Sequence, residues 1–203
     1  QGLERLRVGL GQSFFFEDRR VSLLRDVETE KRTGPILSIG SQFNENLSVT
    51  ANAAWTSSGE NAQRDVQFYY TGNHGNLYNL GYYYRNDIPG RQTVYGQAVA
   101  SIIQPIKDNW RVIGHAQYDL EHDVMRDVLF GINYESCCWG VSVYGRSYYN
   151  DLDNVQDPSV KANNAIMAEF TLKGLGGLNN KLSSLLDSRV LGFNKTNQFW
   201  TQR

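Results

Sequence analysis

The sequence predicts an all-β chain: an antiparallel transmembrane β-barrel segment of about ten strands. Three observations predict it. Apolar and polar residues alternate with period two through segment after segment, with no βαβ spacing between them. Aromatic residues abound in a polar chain, with 12 Tyr, 9 Phe, 4 Trp and 19 Gly beside a mean hydropathy of -0.48. The connections also sort by side, long and charged on one and short on the other.

Gln1–Phe16 reads as the first strand, with Leu6, Val8, Leu10, Phe14 and Phe16 on one parity. A charged loop, 17–33, leads to Pro35–Phe43, where Leu37, Ile39 and Phe43 oppose Ser38, Gly40 and Gln42. After the turn Asn44-Glu45-Asn46, Leu47–Trp55 alternates most cleanly: Leu47, Val49, Ala51, Ala53 and Trp55 against Ser48, Thr50 and Asn52. Loop 57–64 precedes Asp65–Thr71, and 72–76 has turn chemistry. In Leu77–Arg85 the facing is ambiguous; Tyr78, Leu80, Tyr82 and Tyr84 are placed outward. A turn through Pro89 leads to Thr93–Gln104, and 105–109 turns again. Trp110–Asp119 sets Trp110, Val112, Ala116 and Tyr118 against Arg111, His115, Gln117 and Asp119. Past loop 120–124, Val128, Phe130, Ile132 and Tyr134 share an outward face that runs into Cys137 and Cys138. The returning strand turns Trp139, Val141, Val143, Ser147 and Tyr149 outward, and loop 150–163 follows. The tenth strand, Asn164–Leu172, opposes Ile166, Ala168, Phe170 and Leu172 to Met167, Glu169 and Thr171. Residues 1–173 thus form the strand-bearing domain and 174–203 a tail. After Lys173 the alternation stops: Leu178, Leu182, Leu185 and Leu186 share one face of a short helical turn, and the tail reads as a closing element or a lumen-filling tail rather than a further spanning strand, which Val190–Trp200 leaves as the alternative.

Two architectures bury one face of such strands: a soluble sandwich or barrel, apolar inside, and a membrane barrel, apolar outside. Alternation alone does not separate them. The polar faces carry mostly Ser, Thr, Asn, Gln and Gly, as a wet lumen requires. Trp55, Trp110 and Trp139 stand at strand ends, where interfacial aromatics sit. Loops 17–33, 57–64, 86–90, 120–124 and 150–163 fall on one side, and the short turns 44–46, 72–76, 105–109 and 135–138 on the other. That asymmetry puts the short turns, and the cysteines, on the periplasmic side of an outer membrane.

With 20 Lys+Arg against 21 Asp+Glu, no basic stripe points to nucleic acid. No apolar run approaches the roughly 18 residues of a membrane helix. The lack of a signal peptide predicts, for an exported protein, a mature or internal fragment. His74, His115 and His122 are scattered, so no metal or catalytic constellation and no cofactor is read. Arg146 with Tyr144 reads as a contact for acidic sugars or as ordinary wall polarity. Asp119, Glu121 and Asp123 near Arg126 read as a cation bridge or as a solvated loop. Adjacent cysteines bond each other only through a strained eight-membered ring. They read as a tight-turn pair bonded elsewhere, in the same polypeptide or a partner, or as buried thiols of a reducing compartment.

The run Gly131-Ile132-Asn133-Tyr134-Glu135-Ser136-Cys137-Cys138-Trp139-Gly140-Val141 resembles the LptD, or organic solvent tolerance, family of outer-membrane lipopolysaccharide-assembly proteins. Arg146-Ser147-Tyr148-Tyr149 and Phe170-Thr171-Leu172-Lys173-Gly174-Leu175-Gly176 support the likeness, which spans essentially the whole chain as the C-terminal half of that family's barrel. The resemblance implies a place in a 26-stranded barrel that inserts lipopolysaccharide into the outer leaflet, without enzymatic activity, through a hydrophilic lumen and a lateral gate. It implies Asn164, Ile166, Ala168, Phe170 and Leu172 as the gate strand. Cys137 and Cys138 would bond cysteines outside this chain. Implied partners are lipopolysaccharide, the LptE plug lipoprotein, the periplasmic LptA bridge through a missing N-terminal domain, and the barrel-assembly machinery during insertion. The ten strands would then be an incomplete wall with two unpaired edges, and the C-terminus periplasmic. A passive porin shares the alternation but gives no reason for a vicinal cysteine pair.

Overall fold

The computed structural model describes residues 4–17, 31–57, 59–86, 95–150, 160–172, 186, 188–190 and 193. Its strands are β1 (Arg7–Gly11), β2 (Ile36–Gln42), β3 (Leu47–Trp55), β4 (Asn61–Thr71), β5 (Leu77–Arg85), β6 (Tyr95–Lys107), β7 (Trp110–Asp119), β8 (Val124–Glu135), β9 (Trp139–Tyr148) and β10 (Asn163–Leu172). They form one sheet in chain order, β1 to β10. The all-β meander is as the alternation predicts. The barrel is not: among the described residues β1 and β10 are the two edges of an open sheet and do not pair with each other. The expectation of a barrel segment, and of a 26-stranded barrel with it, is corrected. Closure depends on strand number, tilt and stagger, which no single strand's alternation encodes.

Contacts divide the chain into two units, Gln1–Phe68 with Gly81–Ala98, and Tyr69–Leu80 with Val99–Arg203. In the first, β1 pairs antiparallel with β2 from Arg7↔Gly40 to Gly11↔Ile36. Backbone bonds from Phe15 N to Lys31 O (2.7 Å) and from Thr33 N to Ser13 O (2.9 Å) carry the pairing beyond β1. The turn from β2 into β3 is held by the Asn44 carboxamide oxygen, which accepts from the Asn46 and Leu47 N–H groups at 2.9 and 2.8 Å. Leu6, Val8 and Leu10 are 63, 57 and 81% exposed. The opposite face carries a polar chain: Ser38 Oγ donates to Asn52 Oδ1 (2.7 Å), and Asn52 Nδ2 donates to buried Asp65 (2.8 Å).

Strand ends differ from the alternation in several places: β1 is Arg7–Gly11 within the stretch read as strand Gln1–Phe16, and β8 starts at Val124, within the stretch read as loop 120–124. β4 starts at Asn61, within the stretch read as loop 57–64, and Asn86 N donates to Ala62 O at 2.8 Å. β6 runs to Lys107, so the turn read as 105–109 is only Asp108-Asn109. Ladder bonds need backbone groups rather than apolar side chains, so strands extend into polar sequence that carries no alternation. The interior of loop 17–33, the turn at Pro89, residues 151–159 of the last long loop, and Leu178, Leu182 and Leu185 lie outside the described residues.

In the second unit β7 pairs with β8, β8 with β9 and β9 with β10, all antiparallel, with a register shift between Gln117 and Tyr118. The pleat turns Trp110, Phe130, Ile132, Trp139, Val143, Ile166 and Phe170 out, each 39% exposed or more. It turns in a mixed face: Ser101, Arg111, His115, Asp119, Asp127 and Asn133 are buried beside Leu77, Ile103, Ile113, Leu129 and Tyr144. Gly131 stands opposite Tyr144, and a Cβ at Gly131 would lie 2.1 Å from Tyr144 Cδ1. The glycine makes room for the ring. Gly131→Ala therefore costs about 1–3 kcal/mol of stability by overpacking. The check is the denaturant midpoint of the intact protein in detergent, and an unshifted midpoint contradicts this packing.

Candidate functional site

Three features of the second unit could serve function: the inner face, the cysteine turn and the edge strand. The inner face is built from ion pairs between neighbouring strands. Arg146 Nε and Nη2 hold Asp127 at 2.9 and 2.6 Å, a two-point clasp from β9 to β8. Arg111 on β7 donates to Asn133 (2.7 Å) and Glu135 (2.6 Å) of β8, and Asn133 Nδ2 donates to Ser142 of β9 at 2.7 Å. Ser101 of β6 hydrogen-bonds the His115 ring at 2.9 Å. Arg146 is thus committed to the wall, with its guanidinium 4.1 Å from the Tyr148 ring centre. Asp119 accepts from the backbone N–H groups of Glu121 and His122 at 3.0 and 2.9 Å, which organises that turn. Among the described residues no group of three or more His, Cys, Asp and Glu could hold a metal ion.

Described residues of the tail pack on this face. Leu186, Val190 and Phe193 are buried in one cluster with Leu77, Ile103, Ile113, Leu129 and Tyr144, and Met167 of β10 packs against it. Val190 N donates to Leu186 O at 2.7 Å, a helical turn, and Arg189 lies 3.4 Å from Asp127. The sequence reading offers a lumen-filling tail but misses the inward apolar cluster of the wall that it meets. Its signal was the apolar residues Ile113 and Leu129 at inward positions otherwise held by Arg111, His115, Asp127 and Asn133.

Cys137 and Cys138 lie exposed in the turn between β8 and β9, closed by Ser136 N donating to Trp139 O at 2.8 Å. Their sulfurs are 2.9 Å apart, not bonded to each other, where a disulfide is about 2.05 Å. Beside the turn an aromatic file crosses four strands on the outer face. Trp110 to Tyr134, Tyr134 to Trp139, and Trp139 to Phe170 have ring centres 4.9, 5.0 and 6.1 Å apart. The structure brings Trp110 and Trp139 into this file, while Trp55 ends β3 half-buried in the first unit. Asn164, Ile166, Ala168, Phe170 and Leu172 all point outward on the edge strand β10.

Removing the shared carboxylate tests the inner face. Asp127→Ala strands the Arg146 guanidinium, whose side chain is only 12% exposed, and costs about 3–5 kcal/mol. Arg189→Ala removes a far more exposed partner and costs less than about 1 kcal/mol. Denaturant midpoints of the two variants side by side decide it, and equal shifts would refute the assignment.

A family model described as LPS transport system D matches residues 1–110. The chain is 67% identical over 204 residues to the LPS-assembly protein LptD of Acinetobacter baumannii, covering 100% of this chain and 25% of that protein. It is 61% identical over 206 residues to the protein of the same name in Acinetobacter baylyi, again 100% of the chain and 25% of the relative. The Psychrobacter cryohalolentis counterpart is 36% identical over 202 residues, 98% of the chain and 20% of the relative. The chain thus spans about a quarter of the length of its first relatives. A match over more than half its length, in a chain built as one antiparallel sheet, makes it a member of the LPS transport system D family.

Proposed function

We propose that this chain is a section of membrane wall in an outer-membrane machine that inserts lipopolysaccharide into the outer leaflet. One observation carries the reading. The sheet exposes large apolar and aromatic side chains on its outer face while its inner face buries Arg111, Asp119, Asp127 and Asn133 beside an apolar cluster, and its aromatic file stands at one end of the strands. No helix among the described residues is long and apolar enough to cross a membrane, so crossing falls to strands, and β6 to β10 have the roughly 9–11 residues or more that a tilted spanning strand needs.

The inner face offers hydroxyl, amide and ionic groups to a glycan, while the acyl chains of lipid A keep to apolar surroundings. Residues 1–173 are the wall and 174–203 the tail, of which Leu186, Val190 and Phe193 pack on its inner side. Strand β10, with Asn164, Ile166, Ala168, Phe170 and Leu172, is the gate: an edge whose backbone groups need a partner in lipid, and whose pairing can open. The short turns and the C-terminus face the periplasm, and Trp55, Trp110 and Trp139 mark the interfaces. Cys137 and Cys138 bond cysteines outside this chain, each bridge contributing about 2–5 kcal/mol and fixing the delivery domain to the wall. LptE inside the wall, LptA on the periplasmic side and the barrel-assembly machinery during insertion complete the set of partners.

Replacing both cysteines, Cys137→Ser with Cys138→Ser, in the intact protein lowers delivery of newly made lipopolysaccharide to the cell surface several-fold at equal protein level. Surface labelling of lipopolysaccharide reads the outcome. Undiminished delivery sinks the anchoring role, and a solute conductance with no effect on lipopolysaccharide marks a porin instead.

A further inference from the structure

The outer face of β7 to β10 runs in straight cross-strand rows, one of which is Gly114, Phe130, Gly145 and Ile166. Its two glycines differ. A Cβ at Gly114 would come within 2.9 Å of Ile102 Cγ2, so a neighbouring side chain already fills that space. A Cβ at Gly145 would meet nothing nearer than the Phe130 carbonyl oxygen at 4.0 Å. Gly145 is not among the glycines with positive φ either. Neither backbone nor packing calls for glycine there.

Gly145 lies in a shallow, open furrow of about 730 Å³ along β9. Val128 and Phe130 wall it on one side and Asn164 and Ile166 on the other, over a floor of Gly145 and Ser147. Phe130 and Ile166 are 58 and 86% exposed, so nothing among the described residues covers it. Along the strands the furrow changes character. At Gly145 it is hydrocarbon; one row nearer the 150–163 end, Ser147 faces Asn164, a neutral hydroxyl beside a neutral amide. The guanidinium of Arg146, the charged residue at its rim, is turned to the other face and held by Asp127. A long hydrocarbon with an uncharged polar linkage at one end matches this shape. The furrow is also continuous with the edge strand, because Ile166 of β10 is one of its walls.

We infer that this furrow seats one fatty-acyl chain of outer-leaflet lipopolysaccharide, the chain lying over Gly145 and its ester or amide linkage at Ser147 and Asn164. The inference rests on the proposed function, which puts this face in lipid and the 150–163 end at the outer leaflet. The intact protein is reconstituted in phosphatidylethanolamine vesicles carrying lipopolysaccharide, exchanged into detergent, and its retained lipid identified by mass spectrometry. Gly145→Phe fills the furrow and cuts retained lipopolysaccharide about tenfold. Val143→Phe, one row deeper on the same face, retains it as the native protein does. Lipopolysaccharide held elsewhere is insensitive to residue 145, so the contrast reads the furrow alone. Equal retention in native and Gly145→Phe protein overturns the seat, as does an equal fall in both variants. Retention of phosphatidylethanolamine in place of lipopolysaccharide, still dependent on Gly145, overturns the proposed function's part in it and leaves only a lipid furrow. If Gly145→Phe does not fold, a photo-crosslinker at Ile166 takes its place. Adducts with lipopolysaccharide are then expected, and adducts with phosphatidylethanolamine alone overturn the inference.

Discussion

Everything in this sheet depends on the pairing of backbone N–H and C=O groups between neighbouring strands. In the membrane setting that the proposed function gives it, an unpaired peptide group costs several kcal/mol, so the ladder rather than the side chains must supply the structure's cohesion. Antiparallel registers such as Trp110↔Tyr134 through Asp119↔Val124 meet that demand strand by strand. Once the ladder is set, the side chains are free to divide between two solvents. The outer face takes Phe130, Ile132, Val143 and Ile166, and the inner face takes Asp127, Asn133 and Arg111. The same dependence singles out β1 and β10, which among the described residues each have a neighbouring strand on one side only.

Burying charge on the inner face is tolerable because the buried charges meet an opposite charge or a hydrogen-bond donor at short range. Arg146 and Asp127 make a two-point contact between β9 and β8, and Arg111 reaches two acceptors on β8. Such pairs act as cross-strand staples, setting register where a polar face would otherwise slip. The apolar cluster beside them does another job. Leu186, Val190 and Phe193 fill the inner face against Leu77, Ile103, Ile113 and Leu129, and Met167 ties the edge strand to the same cluster. The tail thus braces the strand that the proposed function makes the gate.

Much of the fold was legible because a strand's side-chain period is two and a chain fragment shows it directly. Leu47–Trp55, Leu77–Arg85 and Trp110–Asp119 have the bounds that their alternation predicts. Alternation fails where side chains stop sorting. Asn61 to Arg64 and Pro105 to Lys107 are strand because their backbones pair, although nothing in their side chains announces it. The candidate site was legible in part. The exposed cysteine turn and the outward residues of β10 stand where the sequence puts them. The Asp127–Arg146 clasp joins residues 19 apart, and the furrow exists only through the alignment of three strands.

The sequence by itself determined the strands, their two faces and the turn that carries Cys137 and Cys138, because each is a local property of pleat, period and turn chemistry. Only the tertiary structure decided that Leu186, Val190 and Phe193 lie against Ile113 and Leu129 on the inner face, and that Gly145 leaves space where Gly114 does not. Those outcomes turn on which side chains meet across strands distant in sequence, and no fragment of the chain contains both partners.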